Sequence, residues 1–325
     1  MNGTKIATII CWAISALVLM GLLIWFIISF VIGGNGVFGN INISGFNFGV
    51  SENLTGPFVG QGTQTADTSG IDSIDISWVA GGITVIPHDG NTIEVTEYAQ
   101  RNLRDNERLS MSTDGSTLKI RFRESNNIIG NMPRKNLEVH VPHELSENLT
   151  TLAISTTSGY VNANGFEAQT VKISSVSANI DIANIVSQTT DISTTSGDLT
   201  ASSLRSGLLD LNSVSGNMTI SDTIATVLDI GTTSGRLNAT GEFNRVNSSS
   251  VSGDKTIRSS AVPSEMKIST TSGDANIYIP NTGEITVSHS AVSGKFSSDV
   301  PVKMQSGAAY TFSSVSGDTK IHTLG

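Results

Sequence analysis

One phrase, written nine times, constrains this chain more than any other feature of it. Ser-Thr-Thr-Ser-Gly, Ser-Val-Ser-Gly or a close variant recurs between Leu152 and Gly317, and a short run of alternating apolar residues follows each copy. The glycine falls at Gly159, Gly197, Gly216, Gly235, Gly253, Gly273, Gly294 and Gly317, with Ala178 standing in the second copy. The steps are 19, 19, 19, 19, 18, 20, 21 and 23 residues. Self-similarity at a fixed period near 20 marks a repeat architecture in which each unit is one supersecondary element.

The content of each repeat says which element. Counting from the glycine, positions −7 and −5 are mostly apolar, as in Leu152/Ile154, Val171/Ile173, Leu209/Leu211 and Leu228/Ile230. Positions +2 and +4 are apolar too, as in Val161/Ala163, Ile180/Ile182, Leu199/Ala201 and Met218/Ile220. Period-2 alternation means strand with one buried face. Each repeat therefore reads as a strand, a corner at Ser-Gly, a second strand and a looser third side. Glycine suits a corner because it accepts positive φ, and the Asp or Asn that follows (Asp198, Asn217, Asp254, Asp274, Asp318) is a turn former that bonds its own backbone. No single repeat can hide its apolar stripe. Stacked at ~4.8 Å per rung, nine rungs cover one another along roughly 43 Å. The fold class expected is all-β: a parallel β-solenoid of 19–20-residue rungs, coiled right-handed and preceded by one transmembrane helix. A propeller or sandwich of hairpins is the rival, and a third side long enough to restore parallel register favours the solenoid.

Two finer regularities suggest a two-rung unit of 38 residues. Position −2 alternates Thr157, Val176, Thr195, Val214, Thr233 and Val251, and position +4 alternates Ala163, Ile182, Ala201, Ile220, Ala239 and Ile257. Large against small on successive rungs is a packing pattern.

The repeated Ser-Gly-Asp and Val-Ser-Gly phrases resemble those of the bacterial putative-adhesin domain family, a domain of unknown function found in envelope proteins. The lead-in fits as well: Leu137-Glu138-Val139-His140-Val141-Pro142, then Leu152 to Gly159. The resemblance covers about residues 71 to 325. It implies a β-solenoid, an envelope location and, in several members, a genetic setting beside envelope-stress systems; it supplies no catalytic residues. Ala178 departs from the pattern and bears on the turn type at its own corner.

The rest of the chain divides around this core. Residues 7–32 are apolar and uncharged, with Lys5 ahead of them and no Lys or Arg after them until Arg101. Twenty-six residues at 1.5 Å each exceed a hydrocarbon core of ~30 Å. The positive-inside rule places 1–6 in the cytoplasm and the bulk outside. Phe30-Val31-Ile32-Gly33-Gly34 is a poor cleavage site, so an uncleaved signal anchor in the cell membrane is expected in preference to a signal peptide. The sole cysteine, Cys11, lies inside this span. Residues 33–70, rich in Gly, Asn, Ser and Thr, read as a flexible linker; 71–145 as N-terminal rungs and a cap; 146–325 as the repeat solenoid. In the cap, Ile74, Ile76 and Trp78 share one face, and Asp89-Gly90 signals a hairpin or corner. Eight of the 19 basic residues cluster between Arg101 and Lys135, diluted by Asp105, Glu107, Asp114 and Glu124, which gives a solvated mixed-charge face rather than an anion or lipid-headgroup site. No cap follows Ile321, so the C-terminal rung is expected to offer an exposed edge for a second copy or a partner strand.

Chemistry finds little purchase. A net charge of −9 argues against a nucleic-acid partner. His88, His140, His143, His289 and His322 have no acids at ligand spacing, and no nucleophile elbow, Cys/His pair, phosphate loop or His-Glu-Xaa-Xaa-His run occurs. No catalytic, cofactor-binding or metal residue is assigned. The acidic column after the glycines is interrupted by Arg236 and Lys295, which suits a structural ladder better than calcium. Thr-Thr pairs at 156–157, 194–195, 232–233 and 270–271 would suit ice or glycan binding only if they lined every rung. The expected function is a membrane-anchored, non-enzymatic binding or scaffolding module of the envelope, contacting a wall glycan or another envelope protein. Alternatives are a sensory subunit for envelope stress and a polysaccharide-acting enzyme; the second would need clustered carboxylates in a groove.

Overall fold

The computed structural model describes residues 57–123 and 133–324. β1 (Val59–Asp67), β2 (Ser73–His88), β3 (Thr92–Ala99), β4 (Ser110–Asp114), β5 (Thr117–Arg121) and β6 (Lys135–Pro142) come first, and one helical turn, α1 (His143–Ser146), leads into the repeats. The repeats are β7 (Leu149–Thr194), β8 (Leu199–Ser202), β9 (Arg205–Ser213), β10 (Met218–Ser234), β11 (Leu237–Ser252), β12 (Lys255–Ser259), β13 (Glu265–Ser272), β14 (Ala275–Ile279), β15 (Ile285–Ser293), β16 (Phe296–Ser298), β17 (Val302–Met304), β18 (Tyr310–Ser316) and β19 (Thr319–Thr323). All 19 strands join one sheet.

Successive repeats pair in parallel, one period apart. Ile180 sits on Leu199, Leu199 on Met218, Met218 on Leu237, and Leu237 on Lys255. This is a β-solenoid and not a set of hairpins. Among the described residues, antiparallel pairs are confined to the cap, where β3 lies against β1 and β6, and β4 against β5. Positions −7, −5, +2 and +4 form the core: Ile154, Ile180, Ile182, Leu211, Met218, Ile220 and Ile230 are all at most 2% exposed. The large–small alternation at +4 is a stacking column, Ile182 on Ala201 on Ile220 on Ala239 on Ile257. At −2 it is not, since Thr157, Val176 and Thr195 are half-exposed. The buried neighbour at −3 carries the alternation instead: Thr156, Ser175, Thr194, Ser213, Thr232, Ser250 and Thr270 form an interior hydroxyl column.

The corner glycines answer chiefly to this stacking. A Cβ on Gly216 would lie 1.9 Å from the carbonyl oxygen of Gly197, and one on Gly235 would lie 2.2 Å from that of Gly216. Gly159, Gly253, Gly273, Gly294 and Gly317 do take positive φ, but Gly197, Gly216 and Gly235 do not. Expected positive φ therefore explains five of the eight, and close approach of backbone to backbone explains all of them. Ala178 joins the core, with its N–H held by Ser175 Oγ at 2.7 Å.

Rung order departs from chain order at both ends. β2 stacks on the first repeat, with Ser73 on Thr151 and Val85 on Ala163, and the later strands β5 and β6 cover its other side. At the far end β18 and β19 lie between β13–β14 and β15–β16: Ile268 pairs Phe312, which pairs His289. The expected exposed C-terminal edge is thus corrected, because the C-terminal rung is interior. Tyr310 and Phe312, at most 2% exposed, seal against Met266 and Ile268. The outermost layer is β15–β16, partly covered by β17. Its −3 residue is Ala291, and its +1 residue, Lys295, carries no side-chain acceptor to hand on, so the pattern that recruits a further rung stops there.

The linker expected over 33–70 is also shorter than its composition suggests. β1 occupies Val59–Asp67 and pairs with β3 as the cap's outer strand. The apolar stretch 7–32 lies outside the described residues, and no helix among the described residues is long and apolar enough to cross a membrane.

Candidate functional site

Three kinds of polar structure are built on this scaffold. The first is the ladder at +1. Asp198 Oδ1 accepts the N–H of Asn217 at 2.9 Å, and Asn217 Oδ1 accepts that of Arg236 at 3.1 Å. Asp254 does so for Asp274, Asp274 for Asp318, and Asp318 for Lys295, at 3.1, 2.8 and 2.8 Å. The residues after the glycines therefore bond the rung above and not their own backbone. They are a register device, and Lys295 and Arg236 take part through their main chain.

The second kind is buried charge. Lys135, counted above in a solvated basic face, is fully buried. Its Nζ donates to Glu97 Oε2 at 2.8 Å and to the carbonyls of Glu107 and Phe122 at 2.6 and 2.5 Å. It lies over the rings of Phe122 and Trp78, and Trp78 Nε1 returns a bond of 2.7 Å to the Lys135 carbonyl. Burial pulls the ammonium's pKa down and Glu97 opposes this. This knot fastens the cap to the first rungs. Three others, Arg101, Lys119 and Arg121, pair with Glu107, Asp114 and Asp75 at 2.8, 2.5 and 2.6 Å, as on a mixed-charge face.

Among the described residues Lys255 is the other buried cation, 1% exposed at a +2 position that is apolar on the rungs below it. It stands between Leu237 and Ala275. Its Nζ donates to Ser250 Oγ, which donates to Thr270 Oγ1, which donates to the Ser272 carbonyl. Burial lowers its pKa to about 8, against a weaker opposing pull from Asp254. Only its occurrence at a column position that is apolar in every earlier repeat signals this in the sequence.

The third kind is the outer surface. Asp191, Asp210 and Asp229 stack in register at position −6. Burial and then the flanking carboxylates push Asp210 up to about 6; burial raises Asp191 and Asp229 also, with Lys172 opposing at Asp191. On the second side, position +3 presents Asp181, Thr200, Thr219, Asn238, Thr256 and Asn276 in one register column. The column is open to water, fully so from Asp181 to Asn238. It continues the pair Thr84–Asn162 below. By contrast, the Thr-Thr pairs offer no flat array, because Thr156, Thr194, Thr232 and Thr270 point into the core.

The histidines scatter. His143 does have an acid, Asp89, at 3.5 Å, supplied from the β2–β3 turn and so invisible to local spacing. His88 and His140 meet edge to face at 5.7 Å, and His322 stacks on Tyr278 with Asp299 at 3.1 Å. Among the described residues no three His, Cys, Asp or Glu side chains gather as ligands for a metal ion.

The Toastrack DUF4097 family profile matches residues 71–322. The chain belongs to that family. No curated protein sequence matches it. Among solved structures, a "putative lipid binding protein" from Parabacteroides distasonis ATCC 8503 is 14% identical over 81% of this chain and 96% of its own, with a TM-score of 0.52. A putative-adhesin structure from Bacteroides fragilis NCTC 9343 is 12% identical over 83% of this chain and 99% of its own, with a TM-score of 0.43. Another from Parabacteroides distasonis is 12% identical over 83% and 98%, with a TM-score of 0.44. At such identities the likeness concerns the fold. In this Toastrack domain the eight corner glycines are stacking residues, and the polar side chains that face water repeat from rung to rung.

Proposed function

We propose that this chain is a non-enzymatic binding module of the cell envelope, held at the membrane by residues 7–32 and displayed outside it. Its ligand is a hydroxyl-rich polymer of the wall. The observation that carries this reading is the +3 column. Neutral hydrogen-bonding side chains, Thr200, Thr219, Asn238, Thr256 and Asn276, stand in register on consecutive rungs. Strand spacing fixes them ~4.8 Å apart. A rigid array of this kind has its ordering cost met by the fold, so a repeating ligand gains one weak contact per rung without new entropy loss in the protein.

The test is retention of the full chain on insoluble cell-wall polysaccharide, compared with a T200K/T219K/N238K variant. These sites face water, so the fold is expected to survive, and the variant should lose most of its retention. Failure of the wild-type chain to be retained, or equal retention of the variant, would refute the reading. Capture by lipid vesicles in place of wall material would also count against it.

A further inference from the structure

A groove of about 320 Å³ crosses the third side of the first two repeats, beside α1. Glu147 and Glu167 line it, and Gln169 and Gln188 occupy equivalent places on neighbouring rungs. The floor is apolar, with Leu149 and Ala168 buried and Val186 41% exposed. The groove's other polar side chains are engaged: Asn148 Nδ2 donates to the Glu144 carbonyl at 2.9 Å, and Ser187 Oγ meets Thr190 and Ser206 at 2.7 and 3.0 Å. Among the described residues no bond or ion pair to protein engages the side chains of Glu147, Glu167, Gln169 or Gln188. Two carboxylates and two amides thus line an open cleft of ligand size, with no protein partner among the described residues.

We propose that this groove binds an amine-bearing sugar unit of a polysaccharide. The two carboxylates receive an ammonium group, the Gln169–Gln188 pair bonds ring hydroxyls, and Val186 packs on the sugar's apolar face. The assignment rests on the binding-module reading and deepens it by naming a subsite and its chemistry. A neutral glycan would leave both carboxylates without a cation and would sacrifice the charge-assisted bonds that make such contacts selective. Glu147 and Glu167 lie on an exposed rim, so the selectivity is modest and salt-sensitive.

The experiment measures binding of a glucosamine tetramer and of its N-acetylated counterpart to the full chain in detergent micelles, by calorimetry at low and moderate salt. The expected result is about tenfold tighter binding of the free-amine tetramer at low salt, narrowing as salt rises. E147Q/E167Q should erase that preference and keep the thermal transition, since both sites face water. Q169A/Q188A should weaken both tetramers alike. No preference for the free amine in the wild-type chain, or a preference that survives E147Q/E167Q, overturns the proposal. Wall retention that persists, and still depends on the +3 column, while the groove shows no preference would sink the groove and leave the broader function standing.

Discussion

Lys255 offers the sharpest test of the structure's energetics. Its side chain is 1% exposed, forms no ion pair with a carboxylate among the described residues and ends on a serine hydroxyl. Burial drops its pKa from 10.5 to about 8. At 1.36 kcal/mol per pH unit, that gap corresponds to about 3 kcal/mol of stability lost near neutrality. The sign follows from proton binding. Between pH 8 and 10.5 the unfolded chain holds a proton that the folded chain has released, so stability rises with pH across that window. Below pH 8 both states are protonated, and the fold carries the full penalty of a dehydrated ammonium. Lys255→Met keeps most of the volume and removes the charge. It should raise stability by roughly 2–3 kcal/mol at pH 7, and the gain should shrink towards pH 10.5. Urea unfolding followed by circular dichroism at pH 7, 8.5 and 10 reads both quantities, and taking the difference between variant and wild type cancels other titrating groups. A variant less stable than wild type at pH 7, or a gain that does not vary with pH, would refute the assignment of Lys255 as a buried cation whose dehydration outweighs the pull of Asp254.

Three further perturbations probe other layers. Gly216→Ala places a methyl 1.9 Å from the Gly197 carbonyl oxygen, so the corner must open; a loss of about 2–4 kcal/mol by urea unfolding is expected, and a loss under 0.5 would contradict the stacking argument. Asp210→Asn should stabilise at pH 7 and not at pH 4, because a carboxyl raised to about 6 contributes stability below its unfolded value of 3.8 and loses it as pH rises towards 6. Solvent screening of this half-buried group limits the gain to about 1–2 kcal/mol, measured as the difference in melting between the two pH values. Glu97→Ala strands Lys135 without its carboxylate and should cost about 3–5 kcal/mol, with hydrogen exchange in β3 and β6 accelerating before that of the central rungs.

Much of the solenoid was legible because its rules are local and repeated. Alternation at −7/−5 and +2/+4 named the core, and the Ala–Ile column at +4 told which side chains stack. Rung order was not legible, because every copy carries interchangeable phrases and any two could be neighbours; the only hint lay in the two longest steps, 21 and 23 residues. Lys135 read as part of a solvated face because residue type alone suggests so, and only tertiary partners such as Glu97 and Trp78 reveal otherwise. β1 escaped notice because an outer cap strand with mostly exposed side chains needs no apolar alternation. The groove was hidden for a related reason: Glu147, Glu167, Gln169 and Gln188 are ordinary polar residues until the coil sets them side by side.

The placement of β18–β19 bears on how the chain comes together. β15 and β16 leave the ribosome first, yet the surface they rest on is made of strands synthesised after them. A strictly vectorial winding from one end cannot reach this arrangement. The penultimate turn must wait loosely attached, or detach, until the later strands slide beneath it. The slowest event in assembly should therefore be the seating of Tyr310 and Phe312 against Met266 and Ile268, with everything upstream already wound.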